Sequence, residues 1–248
     1  NEVLQAMMEQ PKRVPLGVIP AGTSNDVAKY LEMPEDNGQC IEILCRMQQA
    51  SMNVGEVNGR FFLNRCGFGN MVSIFQSTNQ EMKNTFGRAA YYLKGVTQLP
   101  KAEPFHLKIR TPEITYEGEF IMFQVLNGEG AKIQNKAFTV DTTERDTLEF
   151  IGIKKSSPLT NRRLLMQSIR KIPMHHKSVV RMKAGECEIT ADHLHKSMTE
   201  SYVDGEHGPG MPLKFQVHKN ALQVITKREC STWNIPKIPH REMFHVEQ

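Results

Sequence analysis

The chain has 248 residues, of which 39% are hydrophobic and 23% are charged, with 17 glycines and 13 prolines. This profile is typical of a soluble globular protein and excludes a collagen, a coiled coil and an intrinsically disordered chain. The formal net charge is only +4 and the basic residues are spread along the chain, which argues against nucleic acid as a partner.

The first fifty residues predict an αβα pattern. Residues 2–8 indicate a helix, and the apolar run Pro15–Pro20 predicts a buried strand of a parallel sheet. Thr23 or Ser24 can cap a second helix, and a third is expected over Gln39–Gln49. This order is typical of half of a doubly wound α/β unit.

After residue 50 the sequence changes to short runs of Val, Ile, Phe and Tyr. The expected strands are Asn53–Val57, Arg60–Cys66, Phe105–Arg110, Ile114–Tyr116, Phe120–Leu126, Thr147–Ile153, Val179–Lys183, Cys187–Thr190, Phe215–His218 and Leu222–Ile225. Asn58-Gly59 predicts a two-residue hairpin turn. Helices are expected at about Phe86–Leu99 and Asn161–Ile172, and residues 228–248 indicate an irregular tail.

Two domains are therefore expected. Residues 1–50 are expected to form an α/β domain and residues 51–218 an antiparallel β-sandwich or barrel, with part of 219–248 able to return to the first domain. No run reaches the roughly 18 apolar residues of a membrane span, and no signal peptide precedes the first helix. Five cysteines without Cys-x-x-Cys pairing favour free thiols and a cytoplasmic location.

The turn between the predicted first strand and second helix is a candidate phosphate site. Gly22 lets the backbone approach a ligand closely, and the hydroxyl of Thr23 and the following helix start can donate to phosphate oxygens. Asp26, one turn further on, can hold Mg²⁺ through water. A plain capped helix start explains these residues equally well.

A second candidate site is the sequence Tyr202–Glu206. Asp204 and Glu206 flank Gly205, so one carboxylate can hold a metal while the other accepts a proton from an attacking hydroxyl. Taken alone, Asp-Gly in a hairpin turn is the commoner explanation. Zinc chemistry is not favoured because the histidines lack a zinc-ligand spacing, and no Gly-x-Ser-x-Gly nucleophile motif occurs.

Four motifs follow one another along the chain: PLGVIPAGTSNDVAKYL, NVGEVNGRFFLNRCGFG, GRAAYYLKGVTQLP and YVDGEHGPGMP with ALQVI. In this order they resemble the motifs of the bacterial diacylglycerol kinases and related lipid kinases, over nearly all of residues 1–226. The opening Asn1–Leu4 resembles the residues just after the family's Gly-Gly-Asp-Gly-Thr nucleotide loop. The resemblance therefore implies that this sequence is truncated before that loop and that the chain alone transfers phosphate poorly.

The resemblance implies an enzyme with an α/β nucleotide domain like that of NAD kinase and phosphofructokinase, a β-sandwich domain, and an active site between them. ATP would be the phosphoryl donor, Mg²⁺ the metal ion, and a membrane-derived diacylglycerol the acceptor, giving phosphatidic acid. The protein would be cytoplasmic and peripheral at the inner face of the membrane. Whether it forms a homodimer stays open.

The resemblance also assigns roles by position. The implied nucleotide-binding residues are Asn1, Gly22, Thr23 and Asn25. The implied catalytic residues are Asp26 and Asp204, both on the Mg²⁺–water network, and Glu206, the general base on the lipid hydroxyl.

Two departures from the family pattern concern the metal. Asn53 stands where the family usually has Asp, and Arg145–Asp146 replaces an Asp-Gly metal turn. Asp146 can compensate from the next position, although strand alternation turns it to the other face. The alternatives are a kinase for another lipid or for NAD, and a non-catalytic relative that binds nucleotide or lipid.

Overall fold

The computed structural model describes residues 1–22, 25–69, 103–127, 146–157, 159–161, 163–164, 176–192 and 200–227. The predicted helix at Phe86–Leu99, the irregular tail and most of the helix at Asn161–Ile172 lie outside these residues, although residues 159–161 and 163–164 are helical. Thr23, Ser24 and Arg145 also lie outside them. No helix in the described ranges has the length and apolar composition needed to cross a membrane.

Three helices lie wholly within the described part of the chain: α1 (Glu2–Met8), α2 (Asp26–Tyr30) and α3 (Asn37–Arg46). The prediction that Thr23 or Ser24 caps α2 was wrong, because the capping position belongs to Asn25, in the left-handed region at φ 51°. Helix α3 also differs in its bounds. The side chain of Asp36 accepts from the amide of Gln39, so the helix begins at Asn37, two residues before the predicted start. It ends before Met47, which has φ 51°.

The prediction of a buried strand over Pro15–Pro20 was wrong, although its parallel direction is right. Only Leu16 pairs, in one parallel bridge with Val224. Pro15 has no N–H to extend the ladder towards the N-terminus, and Ile19 is 45% exposed. The segment is therefore an extended connection beside the sheet.

The described strands form a single antiparallel sheet with a branch. Their bounds are β1 Gln49–Val57, β2 Arg60–Phe62, β3 Arg65–Gly69, β4 Phe105–Arg110, β5 Thr115–Asn127, β6 Leu148–Lys154, β7 Val179–Ala184, β8 Glu186–Asp192, β9 Glu200–Val203, β10 Glu206–Gly210 and β11 Leu213–Ile225. The order is β10-β9-β3-β5-β4-β8-β11-β1-β2, while β6 pairs with β5 and with β7. The antiparallel β architecture was predicted, but each of two strand pairs expected around residues 118 and 220 is one long strand, β5 or β11.

Two apolar cores lie on different parts of the sheet. One is rich in aromatic side chains from the strands, among them Phe68, Phe123 and Phe150. The other packs all three helices against the Gln49 end of β1 and the Ile225 end of β11. Strands β1 and β11 contribute to both cores, so they hold the helical part and the strand part together.

A β-bulge marks the change from one core to the other on β1. The register with β11 shifts between Met52 and Val54, and the intervening Asn53 is only 2% exposed. Its Oδ1 accepts from the amide of Asn220 at 2.7 Å, and its carbonyl accepts from Nδ2 of Asn127 at 2.7 Å. Asn53 thus links β1 to β11 through its side chain, and to the side chain of Asn127 on β5 through its carbonyl.

Candidate active site

Two hairpin turns of the same kind bring the candidate residues together. Asn58 and Gly59 have φ 48° and 82°, and Asp204 and Gly205 have φ 47° and 98°. Positive φ at both central residues is the two-residue turn that Asn-Gly and Asp-Gly favour, because Gly has no Cβ and Asn and Asp tolerate this region. The predicted Asn58-Gly59 hairpin is therefore confirmed, with Val57 paired to Arg60 across it.

The carboxylate of Asp204 binds the connection between β2 and β3. Its Oδ2 accepts from the amide of Leu63 at 2.8 Å, and its Oδ1 accepts from those of Asn64 at 3.1 Å and Arg65 at 2.8 Å. The Asp204 amide donates to the Arg65 carbonyl at 2.9 Å. Asp204 is thus an acceptor for three successive backbone amides.

Desolvation raises the pKa of the Asp204 carboxyl above its usual range. The amides of Arg65, Leu63 and Asn64, and the charge of Arg65, act in the opposite direction. These backbone donors replace the water that the partly buried carboxylate has lost, so its oxygens still accept hydrogen bonds.

Glu206 lies two residues further on, at the start of β10, and differs from Asp204 in exposure and in partners. Its side chain is 47% exposed. Oε2 accepts from Nη2 of Arg60 at 2.5 Å and from Nδ2 of Asn1 at 3.1 Å. Within the described part of the chain Oε1 has no hydrogen-bond partner. Glu206 is therefore a fixed carboxylate with one open oxygen.

Gln5 holds Asn1 beside Glu206. Its Nε2 donates to Oδ1 of Asn1 at 3.0 Å and to the carbonyl of Phe61 at 2.7 Å, and its Oε1 accepts from the Phe61 amide at 3.0 Å. These contacts fix α1 to β2. The structure thereby joins the predicted nucleotide residue Asn1 to the predicted base Glu206, which lie 205 positions apart in the sequence.

Two residues of this site, Arg60 and Gln5, were missed by sequence reasoning. Arg60 follows a hairpin turn directly, as Glu206 does, and this shared position is the one signal in the sequence that could have paired them. No local pattern singles out Gln5.

The second candidate site lies at the start of α2. The amide of Gly22 donates to Oδ1 of Asn25 at 2.7 Å, so this loop closes on itself. Asp26 is the first residue of the helix and is partly buried. The roles of these three residues in nucleotide and metal binding stay predictions, as does that of Thr23.

The described acidic residues do not make up a magnesium site by themselves. No cluster of three or more His, Cys, Asp and Glu side chains arranged for a metal exists in the described ranges. Both oxygens of Asp204 already bind amides, and Asp146 forms an exposed ion pair with Lys219 at 3.1 Å. No catalytic step is therefore derived through the metal.

Comparisons with known proteins agree with the motif order. The family model described as the diacylglycerol kinase catalytic domain matches residues 1–57. The diacylglycerol kinase of Staphylococcus haemolyticus is 27% identical over 241 residues, which cover 92% of this chain and 68% of the relative. That of Staphylococcus saprophyticus is 26% identical over 247 residues, or 95% of this chain and 76% of the relative.

The fold agrees as well. The crystal structure of a diacylglycerol kinase from Bacillus anthracis superposes with a TM-score of 0.69 at 23% sequence identity, and covers 91% of this chain and 73% of that one. The predicted fold, an α/β part combined with an antiparallel β part, is thereby confirmed. The family model and the relatives thus confirm the predicted resemblance to the diacylglycerol kinase family of lipid kinases, and the fold agrees with it.

Proposed function

We propose that this protein is a kinase that transfers the γ-phosphoryl group of ATP to the free hydroxyl of a diacylglycerol, giving phosphatidic acid, with Glu206 as the general base. The observation that carries the proposal is the geometry of Glu206. One oxygen is fixed by Arg60 and Asn1, and the other is open, on a half-exposed strand end beside α1.

The chemistry asks little of the protein beyond position and charge. The hydroxyl proton moves to Oε1 of Glu206, the hydroxyl oxygen forms a bond to phosphorus, and the bond from phosphorus to ADP breaks with its electron pair leaving on ADP. Phosphoryl transfer depends mainly on orienting the nucleophile and neutralising the phosphates. A carboxylate held by two donors is an oriented acceptor for that proton.

Asp204 acts in this proposal as a positioning residue. Its three amide bonds fix the β9–β10 turn against the β2–β3 connection. Both Arg60 and Glu206 flank this junction, so Asp204 sets their separation. Within this one hairpin, Asp204 thus serves structure and Glu206 serves chemistry.

Asn1, Gly22, Thr23 and Asn25 would hold ATP, and Asp26 would hold its Mg²⁺ through water. When bound, Mg²⁺ would supply neutralisation of phosphate charge. The protein would meet its lipid as a peripheral protein at the cytoplasmic face of the membrane. Residues 1–50 with the end of β11 would form the nucleotide side, since Leu222 and Val224 pack with the helices.

The experiment is transfer of labelled γ-phosphate from ATP to dioleoylglycerol in mixed micelles containing Mg²⁺, with the full-length protein. We expect Glu206→Gln to lower the rate by about 100-fold or more, because it removes the general base, and to leave the unfolding midpoint unchanged. Glu117→Gln is the matched control, since Glu117 is also 47% exposed and pairs with Lys108 at 2.5 Å on other strands.

An unchanged rate in Glu206→Gln would contradict the assignment of the base. Transfer by the wild type to a sphingoid base, an undecaprenol-like lipid or NAD, and not to dioleoylglycerol, would contradict the substrate alone. Nucleotide binding without transfer to any acceptor would contradict the enzymatic proposal.

A further inference from the structure

Arg60 has more hydrogen-bonding capacity than its partners use. Its Nη2 donates to Glu206, and this is the one hydrogen bond of its guanidinium within the described residues. The Nε atom is shielded from solvent and has no partner there. A guanidinium has five N–H donors, so most of its donors remain for another acceptor.

The position of Arg60 indicates what that acceptor is. In the proposed function, on which this inference rests, the new phosphate monoester forms at the hydroxyl next to Glu206. Nη2 of Arg60 lies 2.5 Å from that carboxylate and the Arg60 side chain is 32% exposed, so a ligand arriving there can reach it. The planar fork of a guanidinium matches phosphate oxygens and binds them in pairs.

We propose that Arg60 binds the phosphate monoester group of the product, and that Glu206 competes with this group for the same guanidinium. In the free protein the carboxylate of Glu206 occupies Nη2. A phosphate monoester beside Glu206 would accept hydrogen bonds from the unused donors. Its affinity would be limited because the Glu206 carboxylate repels it and must be displaced from the guanidinium. Arg60 is then the residue that distinguishes a phosphorylated lipid from an unphosphorylated one.

A binding experiment without ATP tests this proposal independently of turnover. Binding of inorganic phosphate and of dihexanoyl phosphatidate, a short-chain phosphatidic acid, is measured by calorimetry on the full-length protein. We expect Arg60→Ala to weaken phosphatidate binding about tenfold or more, and Arg60→Lys to weaken it by less, since it keeps the charge but loses the fork. Glu206→Gln should strengthen phosphatidate binding by up to about tenfold, because it removes the negative charge that competes for the guanidinium.

Lys108→Ala is the matched control for the loss of a cation. Lys108 is 35% exposed and pairs with Glu117 at 2.5 Å on β4 and β5, so it reproduces the exposure and geometry of Arg60 elsewhere on the sheet. The Lys108→Ala variant should bind phosphatidate with the affinity of the wild type. Thermal unfolding of each variant verifies that it is folded. We expect each variant to remain folded, because surface ion pairs contribute little to stability.

The two ligands distinguish the possible sources of the phosphate group. Equal affinity for both would identify the phosphate alone as the ligand, and binding of phosphatidate only would identify the lipid product. Wild-type affinity in Arg60→Ala, or weaker binding in Glu206→Gln, would overturn the proposal. If Glu206→Gln kept full kinase activity while Arg60→Ala lost phosphatidate binding, the base assignment would fail and the phosphate site would stand.

Discussion

The β1–β2 and β9–β10 hairpins have the same turn geometry but use it differently. In the first, Nδ2 of Asn58 donates to the Pro212 carbonyl at 2.8 Å and its Oδ1 accepts from the Lys214 amide at 2.7 Å, both on exposed backbone. In the second, Asp204 binds the three amides of residues 63–65. The residues of the turn therefore determine the local path of the chain, while the distant hydrogen-bond partners of the turn side chain determine how much that side chain contributes to stability.

The residues that follow the two turns are paired with each other. Arg60 starts β2 and Glu206 starts β10, and their ion pair links the two ends of the main strand order. The comparison separates a residue that holds the junction, Asp204, from one that is left free for chemistry, Glu206. The predictions below test this separation.

The largest structural effect is expected from Asp204→Ala. Three backbone amides would lose their acceptor, and an unsatisfied buried donor costs about 1–3 kcal/mol, so we expect the free energy of unfolding to fall by about 3 kcal/mol. Denaturant unfolding measures it. Asp146→Ala, which removes only an exposed ion pair with Lys219, should cost less than about 1 kcal/mol. Equal stability of the two variants would show that the Asp204 contacts carry no structural weight.

A smaller effect is expected from Asn58→Ala. It removes two exposed hydrogen bonds and places Ala at φ 48°, so we expect a loss of about 1–2 kcal/mol by the same measurement. Asn58→Asp keeps the acceptor for the Lys214 amide and tolerates the turn, so it should lose less. A loss in Asn58→Ala as large as that in Asp204→Ala would remove the difference between the hairpins.

The smallest effect is a difference in thiol reactivity. Cys66 lies opposite Val203 of β9, and Cys187 lies opposite Phe215 of β11. Burial raises the pKa of each thiol from 9.0 to about 12, so both stay protonated and unreactive from pH 7 to 9, whereas the exposed Cys45 reacts. Iodoacetamide labelling followed by peptide mass spectrometry measures the three rates.

The variants should then separate the two buried thiols. We expect Asp204→Ala to speed labelling of Cys66 more than that of Cys187, and Asn58→Ala to do the reverse, because each opens its own hairpin. Equal acceleration of both thiols in each variant would mean that the hairpins open together.

Features set by local backbone chemistry could be predicted from the sequence. Asn58-Gly59 forms the expected hairpin because few other residue pairs tolerate positive φ at both positions. The centres of most strands were also predicted, since their apolar residues alternate or run together. The order of the motifs was sufficient to find the resemblance to the diacylglycerol kinases.

Features set by distant contacts could not be predicted. The segment Pro15–Pro20 is as apolar as a buried strand, but its pairing depends on a neighbour near residue 224. Lys219 and Asn220 resemble a loop, yet β11 continues past them because His218 and Leu222, on either side, pair with β1. Arg60 gave no sign of its role, since its partner Glu206 is 146 positions away.

Parallel measurement of the phosphate transfer rate and the free energy of unfolding, for Asp204→Ala and Glu206→Gln, tests the central claim most directly. The account predicts a loss of about 3 kcal/mol of stability in Asp204→Ala, and a loss of about 100-fold or more in rate at unchanged stability in Glu206→Gln. Wild-type stability in Asp204→Ala, or a wild-type rate in Glu206→Gln, would contradict it.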